Sequence, residues 1–374
     1  MNDGKTQHLN NYLKRPEHIP ADRTCTAPQL QTFGIELLVT VGASRSEAQA
    51  VIDELVAADL AGHASHGVMR LTQYLDFFEA GALRPGMTLA PVTESSVLDV
   101  FDGKFGFGQH LMRQLMEIAV RKARDSGSYT AFGRNFNHVG RLGSYVEEVA
   151  KQGFLTMMMV NVNGSSRVAP YGAIEPRLGT NPICIALPYR DRTIMVDTTT
   201  CVTAEGKLRI AMLNNRRVPD GQILAKDGTP TNDPADFYTA PSGSILPLGG
   251  PVGYKGSGLS ILVEMICGIL SGAGFGRHDV AAGTNAVWFH LIDLARVIDL
   301  EHYATETERF VEYIKGSHTA AGVDEVLMPG EREYRQAAIA QANGITIPGG
   351  TWLQLSLLAA RYDVRMPESV AVGP

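Results

Sequence analysis

The stretch "LGGPVGYKGSGLSILVE" (residues 248–264) sets Lys255 in a glycine-rich turn that runs into an apolar segment of helical spacing. Backbone N–H groups at a helix amino terminus, with a lysine point charge beside them, suit a phosphate. The stretch lacks the G-x-x-x-x-G-K-[ST] spacing of a P-loop. The fingerprint G-x-G-x-x-G is also missing: "GKFGFG" (103–108) and "GAGFG" (272–276) both break the spacing. A dinucleotide held by this chain is therefore held outside the Rossmann pattern, and the fold has to be read from the rest of the sequence.

At 374 residues the chain exceeds the size at which one hydrophobic core stops growing, so two domains are expected. Its composition, 44% hydrophobic and 19% charged, is that of a soluble globular protein. The net charge is −6 and no run of Lys and Arg interleaves with aromatics, which argues against nucleic acid as a partner. The amino terminus "MNDGKTQHLNNYLKRPEH" is polar and lacks the apolar core of a signal peptide. The longest apolar stretch, "GLSILVEMICGILSGAG" (258–274), is interrupted by Glu264 and is too short for a membrane span. It reads as a buried helix. Cys25, Cys184, Cys201 and Cys267 form no C-x-x-C pair. This speaks against a zinc site or a disulfide framework and suits a reducing cytoplasm.

Residues 27–42 and 46–62 carry apolar residues at helical spacing; either Ser44 or Ser46 can cap the second helix, and Gly62 closes it. "VMRLTQYLDFFEAG" is a third helix. "PVTESSVLDVFDG" looks like a strand entering a turn, and "GQHLMRQLMEIAVRKARDSG" is a long helix with a glycine at each end. "YTAFGRN" and "FLTMMMVNVN" read as strands around the helix "GSYVEEVAKQG". From 164 to 255 the chain becomes short strands and turns dense in Gly, Pro, Asp and Asn. "GSGLSILVEMICGIL" is helical, "NAVWFHLIDL" a strand, and "TETERFVEYIKGS" and "GEREYRQAAIAQANG" are helices.

Two clusters carry chemistry. In "AGHASHGVMRLTQYL" (61–75) Gly62 ends one helix and Ser65 is placed to cap the next, with His66 and Arg70 four apart on one face and Tyr74 a turn further. The positive end of a helix dipole lowers an imidazole pKa and welcomes an anion, and a guanidinium fork matches a carboxylate. The group reads as an acid/base plus a carboxylate anchor, or else as a capped helix whose His and Arg are solvated or locally paired. Ser65 and His66 are not nucleophile and base by adjacency, because neighbouring side chains on a helix diverge. In "RNFNHVGRLGSYVEEVA" (134–150) His138 lies in a glycine-flanked turn and Arg141 starts a helix after a strand, a common ligand site in α/β folds. A turn histidine satisfied by the backbone is the alternative there. "VAPYGAIEPRLGTNPICIALP" (168–188) packs Gly179, Thr180 and Asn181 into a loop before a strand. "MVDTTTCVTAEGK" (195–207) carries Asp197 after an apolar run, able to orient a histidine or to cap a turn.

Six segments in one order, "SHGVMRLTQYL", "NHVGRLGSY", "APYGAIEPRLGTNPI", "VDTTT", "LPLGG…YKGSGL" and "MPGERE", resemble the type 2 malate/L-lactate dehydrogenase family across roughly residues 28–340. That family of NAD(P)-dependent oxidoreductases also includes ureidoglycolate, sulfolactate and diketogulonate enzymes and cyclic-imine reductases. The resemblance implies an α/β fold: a non-Rossmann, mixed and largely antiparallel sheet that binds the cofactor, beside a mostly helical domain, usually in a homodimer. It places the helical region with His66 and Arg70 in residues 1–100, the cofactor domain in 101–315, and a carboxy-terminal helical segment, 316–374, back on the first. It implies that His66 exchanges the proton at the substrate oxygen, relayed by Ser65 and Asp197, with His138 lining the same pocket. Arg70 would hold the carboxylate of a small-molecule substrate, with Arg141 beside it. Asp197, Thr198, Lys255, Gly256, Pro329, Gly330 and Glu331 would lie along NAD or NADP, with Thr180 and Asn181 near the nicotinamide; no metal is implied. Cys201 stands where the family commonly has serine, and the turn before Lys255 is longer than usual. The rival chemistries are reduction of a cyclic imino acid on the same scaffold, a Ser–His–Asp hydrolase and a sensor on a dead enzyme scaffold. The absence of G-x-S-x-G counts against the hydrolase, and the full set of polar residues against the sensor.

Overall fold

Capping boxes start the first two helices of the computed structural model, which describes residues 15–240, 242–276 and 284–372. The first fourteen residues of the polar amino terminus lie outside the described residues. After β1 (Arg23–Cys25), α1 (Ala27–Thr40) is capped by Thr26 and Gln29. For α2 (Arg45–Leu60), Ser44 Oγ accepts from Glu47 N at 3.2 Å and the Glu47 carboxylate accepts from Ser44 N at 3.0 Å. Ser44, not Ser46, is the cap. Each box satisfies two otherwise orphaned donors, an effect of about 1 kcal/mol. A 3-10 turn at Ala64–His66 then leads to α3 (Arg70–Glu79).

The stretch read as one strand entering a turn folds as two, β2 (Ala90–Thr93) and β3 (Leu98–Asp102), paired antiparallel. Helix α4 (Gly108–Ser126) crosses over to β4 (Ser128–Phe136), which lies parallel to β3. Between helix and strand Gly127 takes φ +86°, the left-handed helix ending that a glycine adopts freely. Helix α5 (Leu142–Ala150) precedes β5 (Phe154–Asn163), β6 (Ile183–Tyr189) and β7 (Arg192–Thr198), each antiparallel to the next strand. The turn-rich middle holds α6 (Glu205–Leu213), which the sequence reading passed over, then β8 (Ile223–Leu224), β9 (Pro230–Thr231), α7 (Pro234–Tyr238) and β10 (Ser244–Ile245). Helix α8 (Tyr254–Val263) widens into a π-turn at Glu264–Ile269, and β11 (Thr284–Asp293) follows. The chain ends with α9 (Leu300–Lys315), α10 (Glu331–Asn343), β12 (Ile345–Ile347), α11 (Gly349–Arg361) and β13 (Val370–Ala371).

The main sheet has the order β2-β3-β4-β11-β5-β6-β7. Five of its pairings are antiparallel and only β3–β4 is parallel, so the sheet is mixed and largely antiparallel, outside the Rossmann topology. Residues from β11 pair on both sides, Phe289 with Ala131 of β4 and with Met158 of β5. Helices α4 and α5 bury Leu115, Met116, Tyr145 and Val149 with Met158, Phe289 and Leu291 of the sheet. A second core joins Leu37, Leu38, Ile52 and Leu55 to Leu71 and Leu75 of α3 and to Leu355 and Leu358 of α11. A small sheet, β12-β1-β13, ties the chain ends together, with Thr24 opposite both Thr346 and Val370. Among the described residues no helix is long and apolar enough to cross a membrane.

Glu264, which interrupts the apolar stretch in the sequence, is a buried organiser. Its Oε1 accepts from Gly179 N and Asn181 Nδ2, both at 3.0 Å, and its Oε2 from Asn161 Nδ2 at 3.0 Å and Gly276 N at 3.2 Å. Removing it strands the Gly179 and Gly276 N–H groups and takes one acceptor each from the Asn161 and Asn181 amides, which keep Asn163 and Ser260. Glu264→Ala should therefore lower unfolding free energy by about 3 kcal/mol or more, read as a lower urea midpoint.

Candidate active site

Gly62 (φ +81°) closes α2, and the 3-10 turn that follows carries Ser65 and His66. Ser65 does not cap the next helix. Asp59 Oδ2 accepts from Val68 N at 2.8 Å, and α3 begins only at Arg70 with no side-chain cap at Met69. His66 and Arg70 thus share no helical face. At Gly67 the backbone is extended (ψ −158°), so the His66 ring leaves helix geometry. Its Nδ1 lies 3.0 Å from Ser65 Oγ, and the two neighbours that were expected to diverge are hydrogen-bonded.

His138 follows β4 and stacks on His66, with centroids 5.7 Å apart and planes inclined by 20°. Its Nδ1 is 2.8 Å from Tyr74 Oη, which receives a bond from Gln109 Nε2 at 2.5 Å. With Gln109 as donor, the buried phenol proton has His138 Nδ1 as its acceptor. The neutral ring then carries its own proton on Nε2.

Ser65, His66, Arg70, His138, Arg141, Thr180, Asp197 and Thr198 all line one cavity of about 350 Å³. The two guanidinium groups differ in their surroundings. Arg70 is engaged within the fold: Nε donates to Ser65 O at 2.7 Å, Nη1 to Gln73 Oε1 at 2.6 Å, and Nη1 lies 3.5 Å from Glu205 Oε2. Arg141 is 7% exposed, yet its Nε and Nη2 are buried without a hydrogen-bond partner among the described residues. Asp197 Oδ2 accepts from Gly143 N at 2.8 Å and stands 3.6 Å from Arg141 Nε, too far for a hydrogen bond. Among the described residues no hydrogen bond joins Asp197 to Ser65 or His66, so the expected three-residue relay is present only as its Ser65–His66 half.

The remaining expected residues lie elsewhere. Asn181, at φ +44°, turns its amide onto Glu264 and Ser260 rather than into the cavity. Lys255 is exposed on the first turn of α8, and Gly256 is buried where a Cβ would come 2.3 Å from Leu248 O. Pro329 O accepts from Met195 N of β7, and Glu331 holds Lys315 Nζ at 2.7 Å and Met328 N at 3.0 Å. Gly330 lines a second cavity, of about 380 Å³, with Glu54, Ser144, Glu333 and Tyr334. Arg141 belongs to the walls of both cavities. The sequence reading gave no role to Glu205, which bridges Arg70 and Arg209, or to Gln109; the Glu205–Arg209 spacing of four was the available signal. His63, quoted but unassigned, also lines the first cavity, with Nε2 3.4 Å from Glu333 Oε1.

Residues 25–356 match the malate/L-lactate dehydrogenase family. The chain belongs to that family. The L-lactate dehydrogenase of Cupriavidus necator is 34% identical over 324 residues, 85% of this chain and 91% of the relative. The malate dehydrogenase of Pyrococcus horikoshii is 32% identical over 95% of this chain and 97% of its own, and its structure superposes with a TM-score of 0.83. The Δ1-piperideine-2-carboxylate reductase structure from Pseudomonas syringae is similar at a TM-score of 0.77 and 28% identity, covering 90% of this chain and 99% of that one.

In this malate/L-lactate dehydrogenase family member the cavity is cationic, with Arg70, Arg141 and Arg209 buried in its wall. Burial, then the charges of Arg70, His63 and Arg141, push His66 down to about 3. His138 is held well below the usual imidazole range by burial and then by Arg70 and His66. Burial alone would raise Glu205, but Arg209 and Arg70 hold it far below the usual carboxylate range. Asp197 is raised by burial against the pull of Arg141 and the Gly143 N–H. Both stacked imidazoles are therefore neutral across the physiological range. The sign for stability follows: the unfolded chain takes up protons on these histidines near pH 6.5 and the folded chain does not, so their contribution is full above that pH and falls as pH drops towards 3. We expect the C2 proton resonances of His66 and His138 to stay unshifted between pH 5 and 8 in the ligand-free protein. An ordinary titration of either ring would contradict their burial as neutral groups.

Proposed function

We propose that this chain is an NAD- or NADP-dependent oxidoreductase that moves a hydride between the nicotinamide and a small 2-hydroxy or 2-oxo carboxylic acid. One observation carries the reading: two neutral, stacked imidazoles share a cavity with Arg141, whose Nε and Nη2 are buried without a hydrogen-bond acceptor among the described residues, with Asp197 3.6 Å from Nε. A carboxylate on Arg141 brings the neighbouring oxygen under the imidazoles. His66, held by Ser65, gives or takes the proton there, and the Nε2–H of His138 holds the same oxygen in line. Arg70 fixes the Ser65 carbonyl and lends its positive field. Arg70 is thus reassigned from clamp to support, and Arg141 is the clamp.

The residues present suit a dinucleotide. Arg141, with Ser144 in the same wall, joins the cavity of His66 to the cavity of Gly330, which gives an extended ligand one continuous wall. Thr180, Asp197 and Thr198 would hold its nicotinamide end and Pro329, Gly330 and Glu331 its far end. When bound, the nicotinamide supplies or accepts the hydride at carbon; the chain orients both partners and keeps water out. The main sheet and its helices act as cofactor domain, with the boundary ahead of β2 at residue 90 rather than at 100, and the helical region before it, with the carboxy-terminal segment, presents His66. The exposed apolar side chains of α8 and its π-turn, Leu259, Leu262, Met265, Ile269 and Leu270, support a homodimer. The four cysteines, all free and buried, support a reducing cytoplasm.

The likeness to the piperideine-carboxylate reductase supports a second reading, reduction of a cyclic imino acid, which uses the same anchor and the same proton. Absorbance at 340 nm decides between them. Reduced cofactor is mixed with 2-oxo acids and with cyclic imines, and oxidised cofactor with 2-hydroxy acids. Turnover with oxo and hydroxy acids supports the first reading, and turnover with imines alone the second. No turnover together with no cofactor binding overturns both.

A further inference from the structure

We propose that Asp59 is a positioning residue for the Ser65–His66 turn: its buried carboxylate grips Val68 N–H and abuts Gly67, and so fixes where the imidazole stands. Asp59 lies in the last turn of α2, is 8% exposed, and is not part of the cavity wall. Its one side-chain hydrogen bond among the described residues is the 2.8 Å bond to Val68 N. That N–H stands just past the 3-10 turn and just ahead of α3, at the joint where Ser65 would otherwise have been the cap. The carboxylate is so close that a Cβ on Gly67 would sit 1.7 Å from Asp59 Oδ1 and 2.1 Å from its Cγ. Only a glycine lets the turn close onto the acid. Burial of a carboxyl disfavours its charge, and here it pushes Asp59 up to about 7 against the Val68 bond. An apolar residue would avoid that penalty but could not hold the N–H. The acid thus sets the joint between the segment carrying Ser65 and His66 and the helix that starts at Arg70.

The consequence for turnover rests on His66 acting at the substrate oxygen, whereas the grip on the turn does not. Two readouts keep them apart: amide hydrogen exchange over residues 64–70, and steady-state kinetics with the cofactor Kd measured by fluorescence. Asp59→Asn keeps an acceptor oxygen at the same place, and Asp59→Ala removes it. In Asp59→Ala, exchange at Val68 should quicken and kcat fall by about tenfold or more, with cofactor Kd and substrate KM within about threefold of wild type. Asp59→Asn should restore both to within about threefold. Should Asp59→Ala not fold, Gly67→Ala replaces it, because its methyl pushes the turn off an intact acid; quickened exchange and reduced kcat are again expected. Unchanged exchange over 64–70 in a folded Asp59→Ala or Gly67→Ala variant overturns the proposal. So does quickened exchange with wild-type kcat. His66→Ala is the control: if it retains turnover, the acid/base reading fails, while exchange at Val68 still decides the role of Asp59 in holding the turn.

Discussion

The His66→Ala variant is expected to turn over about 10²–10⁴-fold more slowly than the wild type, the usual contribution of a positioned acid or base. Cofactor binding should be kept, since the ring lies at the Ser65 end of the cavity and bonds within the described fold only to Ser65. The pH dependence is more diagnostic than the loss. In the free protein His66 is pushed down to about 3 by burial and the surrounding cations, so it is a ready acceptor across pH 5–8. Oxidation of a hydroxy acid needs that neutral form, and its kcat/KM should be flat over this range. Reduction needs a proton that the free protein does not hold, so its kcat/KM should fall about tenfold per pH unit. The two slopes together return the one proton that hydroxy-acid oxidation releases, as they must. A carboxylate arriving at the Arg70 and Arg141 field removes part of what depresses the ring, which is how a weak base becomes an adequate one. A flat reduction profile, or turnover surviving in His66→Ala, would remove His66 from the reaction and leave His138 to carry it.

The parts of this architecture visible in the sequence are those decided by neighbours along the chain. The glycines bounding α4 and the strands β4 and β5 are local and read directly, whereas the cap of α2 stays open between Ser44 and Ser46 until the bonds to Glu47 choose Ser44. The sheet order is not local: β11 enters between β4 and β5, pairing Phe289 with both Ala131 and Met158, and no spacing announces that. The three-stranded β12-β1-β13 sheet is assembled from segments more than 300 residues apart, so β1 was invisible. The site followed the same division. Imidazoles and guanidiniums at helix starts marked the cavity, but their roles depended on partners fixed by tertiary contact. Ser65 was misread as a cap because the signal for one is a hydroxyl before a helical run, and here Asp59, six residues upstream, had taken the N–H. The sequence points to Arg70 as the carboxylate anchor with Arg141 beside it; Glu205, brought in by α6, pairs with Arg70 and underlies the proposed exchange of their roles. Glu264 looked like a break in an apolar run and is instead the hub under the Thr180 loop.

Arg141 supplies the second large effect, and the balance between substrate binding and stability separates it from Arg70. A carboxylate seated on Nε and Nη2 would make two charge-assisted bonds in a buried wall, and truncating one partner of such a pair costs about 2–5 kcal/mol. Arg141→Leu should therefore raise KM for carboxylate substrates by roughly 10²–10³-fold, with kcat less affected because the imidazoles are untouched. Arg141→Lys should recover only part, since an ammonium restores charge but not the planar fork. The substrate amide, which offers no anion, should be used equally by wild type and Arg141→Leu. The loss of stability should be smaller than for Arg70→Leu: the mutation removes two buried donors that lack an acceptor among the described residues, but it also takes away the cation 3.6 Å from Asp197, which keeps its bond from Gly143 N. Arg70→Leu should behave differently. It leaves the buried Glu205 with one fewer cation and the Ser65 carbonyl without its donor, so a loss of about 3–5 kcal/mol in unfolding free energy is expected. Kinetics and urea unfolding of the two leucine variants test the assignment in one comparison. A stable Arg70→Leu protein that no longer distinguishes acid from amide would return the clamp to Arg70, because a guanidinium cannot both hold the turn of Ser65 and be dispensable to it.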